Sequence, residues 1–321
     1  MTEMNMVKAL NNALDTMLDK DKSVILIGED IAKDGGVFRV TDGLYAKYGD
    51  ERVVSTPLSE LGIVGMSIGM AMDGLRPIPE IQFLDFIYTA MDQIVSQMAK
   101  IRYRTNGDYI LPMVLRTPYG GGVSGGPYHS QSSEAYFAHT AGLVVVTPSN
   151  PYDAKGLLIS SIESNDPVMF LEPKRLYYSI KNDVPDNYYK VEIGKAKRIL
   201  EGDDVTLITY GPMVPLVKSV VQKNNINADV IDLITLNPFD KDTVINSVKR
   251  TGRAVIVHEA PKMFGVGAEI SATIAEKAID YLQAPILRVT GMDIPVPFIL
   301  EDYYVPNEKR IMNAINKVIN Y

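Results

Sequence analysis

The chain has no cysteine in its 321 residues. That excludes a disulfide scaffold, thiolate zinc sites and a cysteine nucleophile, and leaves the redox compartment open. It has three histidines, His129, His139 and His258, at spacings that suit no metal site. It has no block of lysine and arginine, and its net charge of -7 argues against a nucleic-acid surface. No apolar run is long enough to cross a bilayer. The segment 4–20 repeats Met6, Val7, Leu10, Ala13, Leu14, Met17 and Leu18 at amphipathic-helix spacing, and its Asp15 and Asp19 do not suit a transit peptide. A soluble, cytoplasmic protein with no membrane or nucleic-acid partner is the expectation.

What is present is a chain rich enough in apolar residues, at 46% against 22% charged, to bury substantial cores. Its length exceeds one comfortable core, so two domains are expected. Short apolar runs at 23–28, 52–55, 79–83, 112–116, 143–147 and 167–171 read as strands buried on both faces. Helical patterns at 86–104 and 151–163 fall between them, which predicts a parallel sheet covered by helices. A polar, tyrosine-rich stretch at 177–189 reads as an interdomain linker packed against the surface. A second series follows, with strands at 204–210, 228–233, 253–258 and 285–289. Its helices are placed near 214–222, 240–249, 267–281 and 308–319. The predicted boundary divides 1–187 from 188–321.

The most informative single residue is Glu60. It opens the uncharged segment ELGIVGMSIGMAM at 60–72, in which Gly62, Gly65 and Gly69 recur on one side. A glycine face costs helix propensity and admits a close backbone neighbour, so the helix is expected to be buried. A carboxylate in such a place is paired, or protonated with its pKa raised by desolvation, and either state suits proton transfer. The competing reading is a carboxylate that only complements the helix dipole.

The run YGGGVSGGPYH at 119–129 matches two well-known patterns. Gly120, Gly122 and Gly125 fit a dinucleotide fingerprint, but Pro127 blocks the helix that must open behind it. GVSGG at 122–126 fits a nucleophile elbow around Ser124, but that turn must pass sharply from strand to helix. A flexible wall over a pocket is the better reading. At its end, His129 is a candidate acid/base, with an exposed or capping role as its rival. Structural roles are expected for His139 and His258.

Taken in order, GED at 28–30, STPLSE at 55–60, PEIQF at 79–83, AKIRYR at 99–104, YHSQS at 128–132, DAKG at 153–156 and VHEA at 257–260 resemble one family nearly end to end. It is the beta subunit of the decarboxylating first component of 2-oxo acid dehydrogenase complexes. The wording is most similar to branched-chain members, with pyruvate-type relatives next. The resemblance implies a pyrimidine-type thiamin diphosphate-binding α/β domain followed by a transketolase C-terminal-like α/β domain. It implies that Glu60 hydrogen-bonds a ring nitrogen of the aminopyrimidine. Leu58, Gln82 and Phe86 would line the pyrimidine pocket, Glu29 would stand close by, and His129 would serve transfer of the acyl unit to lipoamide.

The family's metal-diphosphate segment, Gly-Asp-Gly followed some thirty residues later by Asn, is absent here. The resemblance therefore implies half a site, with magnesium and the diphosphate held through an alpha subunit in an assembly of two alpha and two beta chains. It implies a lipoylated dihydrolipoyl acyltransferase core as a second partner. Acidic Glu301 and Asp302, beside the apolar turn 295–298, are the expected docking point for that core. Relatives often hold a monovalent cation, here potassium near Val114, Ser161, Ser164 and Asp166, although serine at 164 removes a charge. A one-chain transketolase-like enzyme, a pyruvate or acetoin dehydrogenase subunit and a non-catalytic regulatory subunit are the alternatives.

Overall fold

A computed structural model describes all 321 residues, in two compact units. The first comprises Met1–Tyr119 and Tyr136–Ile193, the second Gly120–Ala135 and Gly194–Tyr321. The sequence reading divides the chain at 187/188, whereas the compact units part after Ile193. Local packing explains where the tyrosine-rich stretch goes. Lys181–Val184 pairs antiparallel with Thr2–Asn5, and Val191 N–H donates to Gly156 O at 3.2 Å. A side chain at Gly156 would meet Val191 Cγ2 at 2.5 Å, so only glycine allows this close return.

The strands of the first unit are β1 (Val24–Gly28), β2 (Val53–Ser55), β3 (Arg76–Glu80), β4 (Val114–Tyr119), β5 (Val144–Val146) and β6 (Val168–Pro173). They lie in the order β5-β6-β4-β3-β1-β2, with all neighbours parallel. Helices α1 (Met6–Lys20), α2 (Glu60–Met72) and α3 (Pro151–Glu163) accompany them, and α1 packs on α3. The side chain of Asn5 caps α1 by accepting Lys8 N–H at 2.9 Å. Every apolar residue expected on the inner face of α1 is buried. At about 1.5–3 kcal/mol for each fully buried large aliphatic side chain, that face holds the helix in place far more than propensity does.

The helix expected over 86–104 is broken into three pieces. A 3₁₀ segment Leu84–Ala90 leads to a π turn Gln93–Met98 and a short α-helix Ile101–Arg104. The cause is the period of the apolar residues. Buried Leu84, Ile87 and Ala90 recur every third position, which matches the tighter helix, and the wider turn then brings Ile94 and Met98 inward.

The second unit holds β7 (Lys197–Leu200), β8 (Val205–Thr209), β9 (Ala228–Asp232), β10 (Ala254–Pro261) and β11 (Leu287–Gly291), in the order β11-β10-β8-β9-β7. Only the edge strand β7 runs antiparallel, and the sequence reading misses it because its residues are mixed and half-exposed. Helices α4 (Met213–Lys223), α5 (Lys241–Thr251), α6 (Val266–Ala278) and α7 (Glu308–Ile319) alternate with the strands. Leu207, Val217, Val220, Val230, Val255, Ile311 and Ile315 form the core between sheet and helices. No helix is long and apolar enough to cross a membrane.

Candidate active site

In a parallel sheet the carboxyl ends of neighbouring strands share one edge, and ligands sit in the crevice beyond it. In the first unit β3, β1 and β2 are neighbours, and each delivers site residues just past its end. Glu29 follows β1, Glu60 opens α2 four residues after the loop leaves β2 at Thr56, and Gln82 stands two residues beyond β3. Glycine at 28 lets β1 and β3 approach, because a side chain there would lie 2.8 Å from Glu80 O.

Glu29 is buried, and its Oε1 has no hydrogen-bond partner. Burial first, then the charges of Glu60 and Asp30, push its pKa up, against a backbone N–H from Ser59 that pulls it down. The Ser59 N–H that Glu29 accepts belongs to the residue just before Glu60, which brings Glu29 to the head of α2. Glu60 is half-buried and accepts the Thr89 hydroxyl at Oε2, 3.1 Å away. Gln82 Nε2 donates to Asp30 Oδ2 at 3.0 Å, and Asp30 itself adopts a left-handed φ of 56°. Phe86 is half-buried and meets Phe83 edge-on, with ring centroids 5.5 Å apart at 68°, and Phe83 meets Phe38 edge-on at 5.5 Å and 71°. Leu58 is 80% exposed and packs on none of them in this chain. The structure thus brings Glu29, Glu60, Gln82 and Phe86 to one edge, and leaves Leu58 on the rim.

Helix α2 buries only one side. Ile63, Val64, Ser67, Ile68 and Ala71 face inward, while Leu61 and Met66 are each half-exposed. A side chain at Gly65 would touch Gln93, but at Gly69 it would meet no heavy atom within 4 Å. The expectation of a fully buried helix therefore fails within the single chain, because nothing in the chain covers the outer part of the glycine face.

Beneath this edge lies a network that the sequence reading missed. Arg116 is fully buried and clamps Glu172 with Nε and Nη2 at 2.7 and 3.1 Å, and Glu80 with Nη1 at 2.7 Å. The Tyr177 hydroxyl adds a donor to Glu172 at 2.6 Å. The available signal was a charge inside each of three otherwise apolar runs, of which Glu80 and Arg116 are register partners. The network fixes the end of β3, two residues before Gln82.

His129 belongs to the second unit, on the Gly-rich loop, and is half-buried. That loop is fastened rather than a flexible wall. Gly121 N–H donates to Glu259 Oε1, and Gly122 N–H to Glu301 Oε1 at 2.6 Å. Ser124 is exposed in a left-handed turn with φ of 51°, without the strand-to-helix turn a nucleophile needs. His139 is exposed, which corrects its expected structural role, whereas His258 is fully buried in β10. Glu301 is 4% exposed. It cannot serve as the docking acid expected of it, because both its oxygens are engaged inside the second unit.

The groups expected around a cation are also engaged. Arg76 Nη1 donates to the carbonyls of Ile162 and Ser164 at 2.8 and 3.0 Å, and Arg102 pairs with the Asp166 carboxylate. Ser161 Oγ donates to Leu157 O at 2.7 Å, and Val114 lies in β4 beside Val168. Two guanidinium groups thus already occupy acceptors at Ser164 and Asp166.

Comparison with known proteins agrees with this geometry. Residues 2–179 match the model of the transketolase pyrimidine binding domain, and residues 194–311 that of the transketolase C-terminal domain. The chain is 47% identical to the 2-oxoisovalerate dehydrogenase subunit beta of Pseudomonas aeruginosa, over 99% of this chain and 95% of that protein. It is 46% identical to the pyruvate dehydrogenase E1 component subunit beta of Staphylococcus epidermidis, over the whole of both chains. Among solved structures it is similar to a split-gene transketolase described as an inactive beta4 tetramer. The TM-score is 0.79 at 19% identity, over 99% of this chain and 98% of that one, which supports the fold.

Proposed function

This chain belongs to the family of beta subunits of the first component of 2-oxo acid dehydrogenases, and from that premise we propose that it supplies the pyrimidine half of a thiamin diphosphate site. With an alpha subunit, in an assembly of two alpha and two beta chains, it acts in the cytoplasm on a branched-chain 2-oxo acid. The products are carbon dioxide and an acyl group passed to the lipoyl arms of a dihydrolipoyl acyltransferase core. The observation that carries this reading is the buried, unpartnered Oε1 of Glu29 beside half-buried Glu60. Buried polar atoms are almost always paired, so an orphaned carboxyl oxygen beside a second carboxyl marks a place for a planar ligand rich in N–H donors.

The donor set fits an aminopyrimidine. Glu60, Glu29 and Gln82 would hold its polar edge, and Phe86 with Leu58 its faces. When bound, the cofactor supplies a nucleophilic carbon and an electron sink for decarboxylation. Burial and the neighbouring Glu60 charge push the pKa of Glu29 up. Glu60, with one oxygen fixed by Thr89, is the group placed to exchange a proton with the ring. Magnesium and the diphosphate fall to the alpha subunit. The open glycine face of α2 suits a close subunit contact, and closed symmetry is the common outcome of such contacts.

Glu60→Gln in the assembled enzyme tests the reading. The amide is nearly isosteric, so assembly should persist while decarboxylation falls by roughly 10²–10⁴-fold, the usual loss for a positioned acid/base. Near-normal turnover would return Glu60 to a structural role. Pyruvate is the second substrate reading, favoured by the near-equal identity to a pyruvate-type relative. A panel that reads decarboxylation of pyruvate and of branched 2-oxo acids decides between them.

A further inference from the structure

The loop that carries His129 has little to hold it by itself. Gly120, Gly122, Ser124 and Gly126 have φ of 78°, 114°, 51° and 63°, all left-handed. Glycine loses more backbone entropy on ordering than any other residue, so such a loop keeps one shape only if something fixes it.

One buried carboxylate does so at both limbs. Glu301 Oε1 accepts Gly122 N–H at 2.6 Å, and Oε2 accepts the Ser130 hydroxyl at 3.0 Å. Ser130 Oγ in turn accepts Gly125 N–H at 3.0 Å. Glu259 takes Gly121 N–H from the other side. The turn that delivers Glu301 also brings Phe298 over the loop, where a side chain at Gly126 would lie 2.6 Å from its ring. His129 directly precedes Ser130 and lies within the segment these contacts hold. Its backbone N–H reaches Gly126 O at 3.4 Å, and its Cβ lies 2.5 Å from where a Cβ on Gly125 would stand.

We propose that Glu301, acting through Ser130 and Gly122, is a positioning residue for His129 in acyl transfer to lipoyl groups. The proposal rests on the role in acyl transfer to lipoamide that the family resemblance implies for His129. A carboxylate buried without donors is costly, and here the compensating donors come from the loop itself. The same contacts that keep Glu301 inside therefore also hold the loop at Gly122 and Ser130. Placement matters because a shift of about 1 Å in a reacting group costs on the order of a hundredfold in rate.

The test uses the enzyme assembled with its alpha subunit, carrying Glu301→Gln, Ser130→Ala or Ser130→Thr. Two rates are compared: acyl transfer to a lipoyl domain, and decarboxylation with an artificial electron acceptor. Hydrogen exchange over 120–131 reports the loop directly. Ser130→Ala and Glu301→Gln should slow transfer by roughly tenfold to a hundredfold, hold the artificial-acceptor rate within about twofold, and speed exchange in the loop. Ser130→Thr keeps the hydroxyl and should restore both. Equal loss of the two rates, or unchanged loop exchange, would overturn the proposal. His129→Ala separates the two ideas. If it spares transfer, the role of His129 fails. If it slows transfer while Glu301→Gln does not, the latch alone fails.

Discussion

Glu134 and His258 are two buried groups of the second unit whose protons make opposite demands on stability. Glu134 is fully buried, and burial raises its pKa from the usual 4.5 to about 7, helped by Glu259 and opposed by the Tyr210 hydroxyl at 2.7 Å. Burial, with the Arg288 charge second, pushes His258 down from 6.5 to about 4. For Glu134 the folded chain keeps a proton that the unfolded chain releases above about 4.5. Stability from this group is therefore full below that pH and falls until about pH 7. For His258 the unfolded chain binds a proton below about 6.5 that the folded chain refuses until about 4, so stability rises over that range. At about 1.4 kcal/mol per pH unit, each effect amounts to about 3 kcal/mol. The two nearly cancel between about pH 4.5 and 6.5.

Glu134→Gln breaks the cancellation. The amide never ionises, and its carbonyl can still accept the Tyr210 hydroxyl, so the packing around Tyr210 and the stacked His258 ring, 5.7 Å away, should survive. Relative to the wild type, the variant should gain about 3 kcal/mol as pH rises from about 5 to about 8. Urea unfolding across that range, with hydrogen exchange at β8 and β10 amides reporting the second unit, measures the difference. Only the wild-type-minus-variant difference is used, because a chain of two units need not unfold in one step. A wild-type-minus-variant difference that is constant with pH, or that rises as pH rises, would refute the reasoning.

Two further outcomes follow from packing. Arg116→Met leaves Glu80 and Glu172 buried without their cation and should cost about 3–5 kcal/mol. Urea unfolding measures it, and adding Glu80→Gln and Glu172→Gln should recover part of the loss. Gly142→Ala places a Cβ 2.0 Å from Ala99 O at a left-handed φ of 100°. It should lose at least about 1–3 kcal/mol or fail to fold, and a melting curve like that of the wild type would contradict the clash.

The alternation of strands and helices was legible because the strands of both sheets, β7 excepted, are short apolar runs, and periodicity needs no knowledge of distant partners. Glu60 and His129 were legible as candidates for the same local reason. One is a lone charge at the head of an uncharged helix, and the other ends a run of glycines. Leu58 was less so. A resemblance implies a place for it at the pyrimidine, whereas in this chain it is 80% exposed.

The fastening of the Gly-rich loop was not legible, and the reason is physical. Glu259 and Glu301 lie 138 and 179 residues from the glycines whose N–H groups they accept. Local sequence says only that such a loop is free to move, since glycine removes steric limits without naming a partner. For Glu301 the local text misled outright. Two acids beside an apolar turn read as a charged surface patch, yet Asp302 faces solvent and Glu301 points inward. A four-residue helix, Glu301–Tyr304, separates the two directions by turning adjacent side chains about 100° apart. Burial of one acid is then compensated by donors from the loop, while its neighbour needs none. Long-range satisfaction of backbone groups, rather than hydrophobic pattern, decides which of two adjacent carboxylates enters the fold.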